Sequence, residues 1–330
     1  MRKINILGTG AYGNALALMF HENPVQITMW TKFKEEADML LAEICHEKVL
    51  PNVMFPNDIV IETDLKKAVL DTSLIVVATP AQFVEDVMKE VKLYLKGDEC
   101  FLVASKGIER KNNLFVHEIV LKMIDTEKIG AISGPTFAID LASRAPSSLT
   151  LATQNEEVQK LVLEVLPNSY LKVHPIKDII GTEICGSVKN IMAIASGMIA
   201  GMGLPISTQA MFITDALTEI KTIISSLGGD PTTILSYAGI GDLLLTCMSD
   251  KSRNFQLGKL YGEGRTQEEI EQYSRNTTVE GLYTLDSITS LFKKNKTHCP
   301  MITLIYDIIQ YRESSQALLS FLIQNNASNK

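Results

Sequence analysis

Disulfide and metal chemistry have little to build on in this sequence. Its five cysteines (Cys45, Cys100, Cys185, Cys247 and Cys299) are scattered and form no CxxC pair. An odd, unpaired set reads as reduced thiols, mostly small core side chains, and not as a disulfide framework. The five histidines make no HxxxH or HExxH pattern, so no metal site is expected. Positive charge is also scarce. Thirty-one Lys and Arg against 38 Asp and Glu leave a net charge of -7, which argues against nucleic acid or anionic lipid as the main partner. The apolar start is broken by glycines and too short for a signal peptide. The one long apolar stretch, 181–204, carries Glu183, Lys189 and Asn190 and lacks an aromatic belt, so a buried core helix is expected there and not a membrane span. These absences point to a globular protein of the cytoplasm.

What is present has the size of two domains, with 330 residues and 46% apolar content. The first half alternates β-branched runs with helical patterns. Strands are expected at 3–7, 26–30, 73–78, 101–105 and 129–132, and helical stretches at 14–21 and 80–95. Runs such as SLIVVA and FLVAS are apolar throughout, as in strands covered on both faces. Strand–helix repetition predicts a parallel sheet with helices on both sides. From about Ile176 the pattern becomes helical, at 181–204, 208–227, 231–237, 266–273, 284–295 and 301–311. The final NNASNK looks disordered.

The opening GTGAYG fits GxGxxG between a strand and a helix. Gly8 permits the tight turn, Gly10 lets a pyrophosphate approach, and Gly13 lets helix pack on strand. Phosphates would then meet the N–H groups at the helix start. A packing turn alone would need only the last glycine. The second strand ends Trp30-Thr31-Lys32-Phe33-Lys34, with no acid before Glu35 to bind ribose hydroxyls. Lys32 could hold a 2′-phosphate, or be a solvated strand-end lysine.

Lys106 follows the strand at 101–105, where ligands bind in open α/β sheets. Gly134 and Thr136, in Ser133-Gly134-Pro135-Thr136, follow the strand at 129–132, although turn chemistry alone would explain them. Lys189 stands out. On a helix its face is Thr182, Cys185, Gly186, Ala193, Ser196, Gly197 and Ala200, all small, which leaves room for a ligand against the ammonium group. Desolvation would depress its pKa and make it a proton donor or acceptor. The bland alternative is a lysine snorkelling to the surface. Asp242, in Gly239-Ile240-Gly241-Asp242, is either a helix N-cap or a carboxylate that holds Lys189 or a substrate hydroxyl. Ser252, Arg253 and Asn254 suit phosphate oxygens or a surface loop. Val279-Glu280-Gly281 adds an acid beside a permissive glycine.

In their order, GTGAYGNALA, ITMWTK, VLPNVMFP, ASKGIE, ISGPTFA, GTEICGSVKN, GIGDLLLTC, SRNFQLG and VEGLYT resemble the bacterial-type NAD(P)-dependent glycerol-3-phosphate dehydrogenases over nearly the whole chain. The resemblance implies an α/β protein with a Rossmann-type domain over 1–176 and a mostly α-helical substrate domain over 177–330. It implies reduction of dihydroxyacetone phosphate by NAD(P)H for phospholipid synthesis, with no metal, and a homodimer. Gly8, Gly10, Ala11, Tyr12, Gly13, Lys32, Ala138, Val279 and Glu280 would hold the cofactor. Lys106, Gly134 and Thr136 would line the site shared with substrate. Lys189 would be the general acid/base beside Asp242 and Asn190. Ser252, Arg253 and Asn254 would complete the substrate site, with Arg253 also reaching the cofactor. Tyr12 stands where the family has Trp or Phe, Ser105 where it has Thr or Ala, and Asp215-Ala216 where it has Arg-Gly. Two alternatives are a β-hydroxyacid dehydrogenase, whose substrate carries a carboxylate, and an NAD(P)-sensing protein without turnover.

Overall fold

Apolar runs become the strands of a single sheet. The computed structural model describes residues 1–42 and 49–324. Cys45 and the final 325–330 therefore lie outside the described residues. The chain divides into two compact units, Met1–Lys106 with Leu114–Ile179, and Gly107–Asn113 with the chain from Ile180 onward.

In the first unit the strands are β1 (Arg2–Leu7), β2 (Val25–Trp30), β3 (Val60–Glu62), β4 (Leu74–Val77), β5 (Cys100–Val103), β6 (Ile129–Ser133), β7 (Ser147–Ala152) and β8 (Leu171–Ile176). They are ordered β3-β2-β1-β4-β5-β6-β7-β8. The helices are α1 (Ala11–His21), α2 (Lys34–Leu41), α3 (Leu65–Val69), α4 (Ala81–Val91), α5 (Val116–Ile124), α6 (Ala138–Ala142) and α7 (Glu156–Val165). β4 and β5 are buried along their whole length, and a separate apolar core lies on each face of the sheet. That burial is why these runs do not alternate.

The expected parallel sheet is found, with one antiparallel pair. β6 pairs antiparallel with β7, and β8 continues parallel to β7. Neither β7 nor β8 was expected from the sequence. β7 opens on Ser147-Ser148, and β8 (LKVHPI) carries Lys, His and Pro, which suit an edge strand.

The order reverses at β1, whose neighbours are β2 and β4. This is the switch point at which open α/β sheets take ligands, outside the strands' C-terminal ends. The glycine turn sits there. The Gly8 amide donates to the Trp30 carbonyl at 2.9 Å, and a Cβ on Gly8 would lie 2.9 Å from the Ala78 oxygen.

The helices of the second unit are α8 (Ile179–Gly201), α9 (Ile206–Ser226), α10 (Asp242–Cys247), α11 (Arg253–Gly262), α12 (Gln267–Asn276), α13 (Glu280–Asn295), α14 (Pro300–Ile309) and α15 (Gln316–Gln324). The stretch expected to be helical at 231–237 is a short 3₁₀ turn, Pro231–Leu235. Every α8 residue from Gly181 to Ile199 is buried, as expected of a core helix.

Two glycine pairs spaced i, i+4 bring α8 and α11 together backbone to backbone. A Cβ on Gly197 would fall 2.0 Å from the Phe255 oxygen, and one on Gly258 only 1.8 Å from the Ile194 oxygen. Gly201 and Gly262 repeat the pattern one turn on, at 2.2 and 2.1 Å from the Lys259 and Met198 oxygens. α14 starts on a carboxylate from α9, because Glu219 accepts the Met301 and Ile302 amides at 2.9 and 2.8 Å. These are donors that the helix cannot satisfy itself. On the same helix Ala216 is fully buried and burial pushes the Asp215 carboxyl up.

Cys100, Cys185, Cys247 and Cys299 are buried and form no disulfide among the described residues. Burial pushes the Cys100 thiol up to about 11 and that of Cys299 to about 12, so these two are un-ionised core side chains.

Candidate functional site

Each unit carries one half of the expected machinery. In the first unit the three glycines do different work. Gly8 has φ +121°, a conformation that L side chains rarely adopt. Gly13 packs so tightly that a Cβ would lie 2.2 Å from the Gly8 oxygen. Gly10 differs, because a Cβ there would meet nothing within 4 Å. Among the described residues, no close contact demands a glycine at that position. Gly10 precedes α1 at its N-cap position and gives the helix no side-chain cap. Open space before an uncapped N-terminus fits an incoming pyrophosphate. A packing turn would not explain Gly10.

Tyr12, in the first turn of α1, gathers the ends of two other strands. The Lys106 ammonium, three residues beyond β5, sits 5.5 Å from the centre of its ring. Its hydroxyl is 3.2 Å from Thr136 Oγ1, beyond β6. Gly134 is required by packing, since a Cβ would lie 2.6 Å from the Ser148 oxygen. Ala11 begins α1 and Ala138 begins α6, both half-buried. Lys32 is exposed just past β2. Thus Gly8, Gly10, Ala11, Tyr12, Gly13, Lys106 and Thr136 converge around the glycine turn.

In the second unit Lys189 is internal and does not snorkel. Its side chain is 9% exposed and its ammonium pairs with the Asp242 carboxylate, which is fully buried. The Thr246 hydroxyl accepts from Lys189 Nζ at 3.0 Å while donating to the Asp242 carbonyl at 2.6 Å. Thr246 lies one turn beyond Asp242 on α10. Asp242 is not a cap. It lies inside α10, and Gly241 occupies the N-cap position. Behind it, burial pushes the Cys247 thiol well up, so that thiol takes no part in proton traffic.

Part of the small-residue face of Lys189 serves helix contact. Gly197 is filled by the α11 backbone, and Ser196 Oγ donates to the Cys247 carbonyl at 2.7 Å. These two positions of the stripe serve helix packing.

A second network adjoins the lysine. Asn190 Nδ2 donates to Glu280 Oε2 at 3.2 Å, Asn254 Nδ2 donates to Asn190 Oδ1 at 3.0 Å, and the Gly281 amide donates to Asn254 Oδ1 at 2.9 Å. Asn190 and Asn254 are buried. Each amide keeps one N–H beyond these bonds. Ser252 caps α11, accepting the Phe255 amide at 3.2 Å. Arg253 is exposed at the start of α11, and its guanidinium makes no hydrogen bond or ion pair among the described residues. Val279 is buried ahead of α13. Thr246 was missed from the sequence. Its signal, a hydroxyl four residues after Asp242 on one helix face, is too common to single out.

Comparison with known proteins agrees over nearly the whole chain. The family models described as NAD-dependent glycerol-3-phosphate dehydrogenase N-terminus and C-terminus match residues 3–159 and 178–320. The glycerol-3-phosphate dehydrogenase [NAD(P)+] of Staphylococcus epidermidis is 34% identical over 312 residues, 94% of either chain. That of Bacillus cereus is 31% identical over 94% of this chain and 92% of its own. The crystal structure of glycerol-3-phosphate dehydrogenase from Coxiella burnetii superposes with a TM-score of 0.91 at 31% identity, covering 98% of this chain and 99% of that one. With a glycine cradle in one unit and a buried lysine–aspartate pair in the other, the chain belongs to the NAD-dependent glycerol-3-phosphate dehydrogenase family.

Proposed function

We propose that this protein reduces dihydroxyacetone phosphate to sn-glycerol 3-phosphate with NAD(P)H, in the direction that supplies phospholipid synthesis. The observation that carries the reading is the buried Lys189–Asp242–Thr246 cluster. A regulator that only senses dinucleotide has no use for a proton donor held by a buried carboxylate. In this reading residues 1–176 hold the cofactor and 177–330 hold the substrate.

NAD(P)H held at Gly8–Gly13 would supply the hydride that the ketone carbon takes up. Lys189 Nζ gives a proton to the ketone oxygen as negative charge develops on it. Asp242 and Thr246 aim the ammonium and hold its other protons. Arg253, with the spare N–H of Asn254, grips the phosphate. Ser252 acts by fixing the start of α11. In the first unit Gly10 admits the pyrophosphate to the α1 N-terminus, and Lys106 contributes positive charge over Tyr12.

Consumption of NADPH or NADH, followed by absorbance with dihydroxyacetone phosphate as substrate, tests the reaction. Unphosphorylated dihydroxyacetone should be a very poor substrate. Arg253→Ala should raise KM by about 10- to 100-fold, since a hydrogen bond to a charged group contributes about 1.5–3 kcal/mol. Similar kcat/KM values for the two ketones would refute a phosphate site. Lys32→Ala should weaken NADPH more than NADH in a binding titration, because only NADPH carries the 2′-phosphate. Equal weakening would remove Lys32 from that role.

A further inference from the structure

The acid missing from the end of β2 is supplied by the next helix. Glu36, in the first turn of α2, folds back so that its Oε2 accepts the Thr31 hydroxyl at 2.7 Å and the Thr9 hydroxyl at 2.5 Å. Thr9 lies between Gly8 and Gly10, and Thr31 directly follows β2. Thr31 Oγ1 also accepts the Phe33 amide at 3.2 Å, which fastens the turn. Both threonines are buried while Glu36 is exposed. Its other oxygen, Oε1, has no hydrogen-bond partner, and no cation pairs with it, among the described residues.

A staple between two hydroxyls needs only an acceptor, and a neutral glutamine would serve. Here a full negative charge is fixed outside the C-terminal ends of β1 and β2, with one oxygen left open. In dinucleotide-binding sheets an acid at that place meets the adenosine ribose. We infer that Glu36 is a specificity-determining residue, accepting the ribose 2′-hydroxyl of NADH and opposing the 2′-phosphate of NADPH. Lys32 and Glu36 then pull in opposite directions, and their balance sets the preference. This rests on the reading of Gly8–Gly13 as the cofactor cradle.

The test is titration of the whole protein with NADH and NADPH, followed by nicotinamide fluorescence. Glu36→Gln keeps the side-chain length and an oxygen for the threonines, and removes only the charge. Its ratio of NADPH to NADH affinity should move about tenfold toward NADPH, as a charge-assisted bond to one ligand and a repulsion toward the other are both lost. Thr31→Val removes one hydroxyl but no charge and should leave the ratio unchanged. An unchanged ratio in Glu36→Gln, or an equal shift in Thr31→Val, overturns the inference. Gly10→Val tests the cradle separately, because its side chain enters open space and the fold tolerates it. If Gly10→Val binds both cofactors normally, the cradle reading fails, whatever the ratio.

Discussion

Lys189→Met is expected to lower kcat by about 10²–10⁴-fold, the usual worth of positioned proton transfer. NADPH affinity should be little changed, because the residues read as its cradle lie in the other unit. The methionine keeps the length and packing of the stem while removing the ammonium. Steady-state kinetics combined with direct NADPH titration separates the two effects. A folded variant with near-normal kcat would make Lys189 a structural residue. The variant also leaves the fully buried Asp242 without its cation, so its fold should be checked by circular dichroism before the rate is interpreted.

The second large effect is on stability. Asp242→Ala should cost about 3–5 kcal/mol, the range for breaking a buried ion pair by removing one partner. Thermal and urea denaturation would register this as an early transition. The cost comes from the uncompensated ammonium, so neutralising both ends should recover most of it. The double variant Lys189→Met/Asp242→Asn is therefore expected to melt close to the wild type and remain inactive. A double variant as unstable as Asp242→Ala would show that the carboxylate acts through packing and hydrogen bonds, not through charge.

Much of this was legible in the sequence, for identifiable reasons. β1, β2, β4, β5 and β6 were readable because both faces of the sheet are covered, which leaves unbroken apolar runs. β7 and β8 were not, because strands near an edge tolerate Ser, Lys, His and Pro. Lys189 showed itself as a lone charge among small residues. The stripe had two meanings at once, since helix contact and ligand space ask for the same small side chains at the same spacing, and Ser196 and Gly197 serve the contact. The matching pair Gly258 and Gly262 was the available clue to helix contact. Thr246 and Glu36 stayed hidden for a different reason. Each makes its contacts by folding back, one along a helix turn and one across a loop, and no local pattern marks it.

The close approach of α8 and α11 has a consequence for how mutational tolerance in this protein should be interpreted. A saturation screen scored by enzyme output would mark Gly197, Gly201, Gly258 and Gly262 as sharply as Lys189. The reasons differ and so do the profiles. At the glycines the damage should begin with Ala and grow with side-chain volume, and the amount of folded protein should fall with it, because the first added atom, Cβ, already meets a carbonyl oxygen at about 2 Å. At Lys189 the folded yield should depend on charge, and output should vanish for every replacement regardless of size. Paired measurements of abundance and turnover would therefore sort the intolerant positions of this chain into those that set helix spacing and the lysine proposed to move the proton.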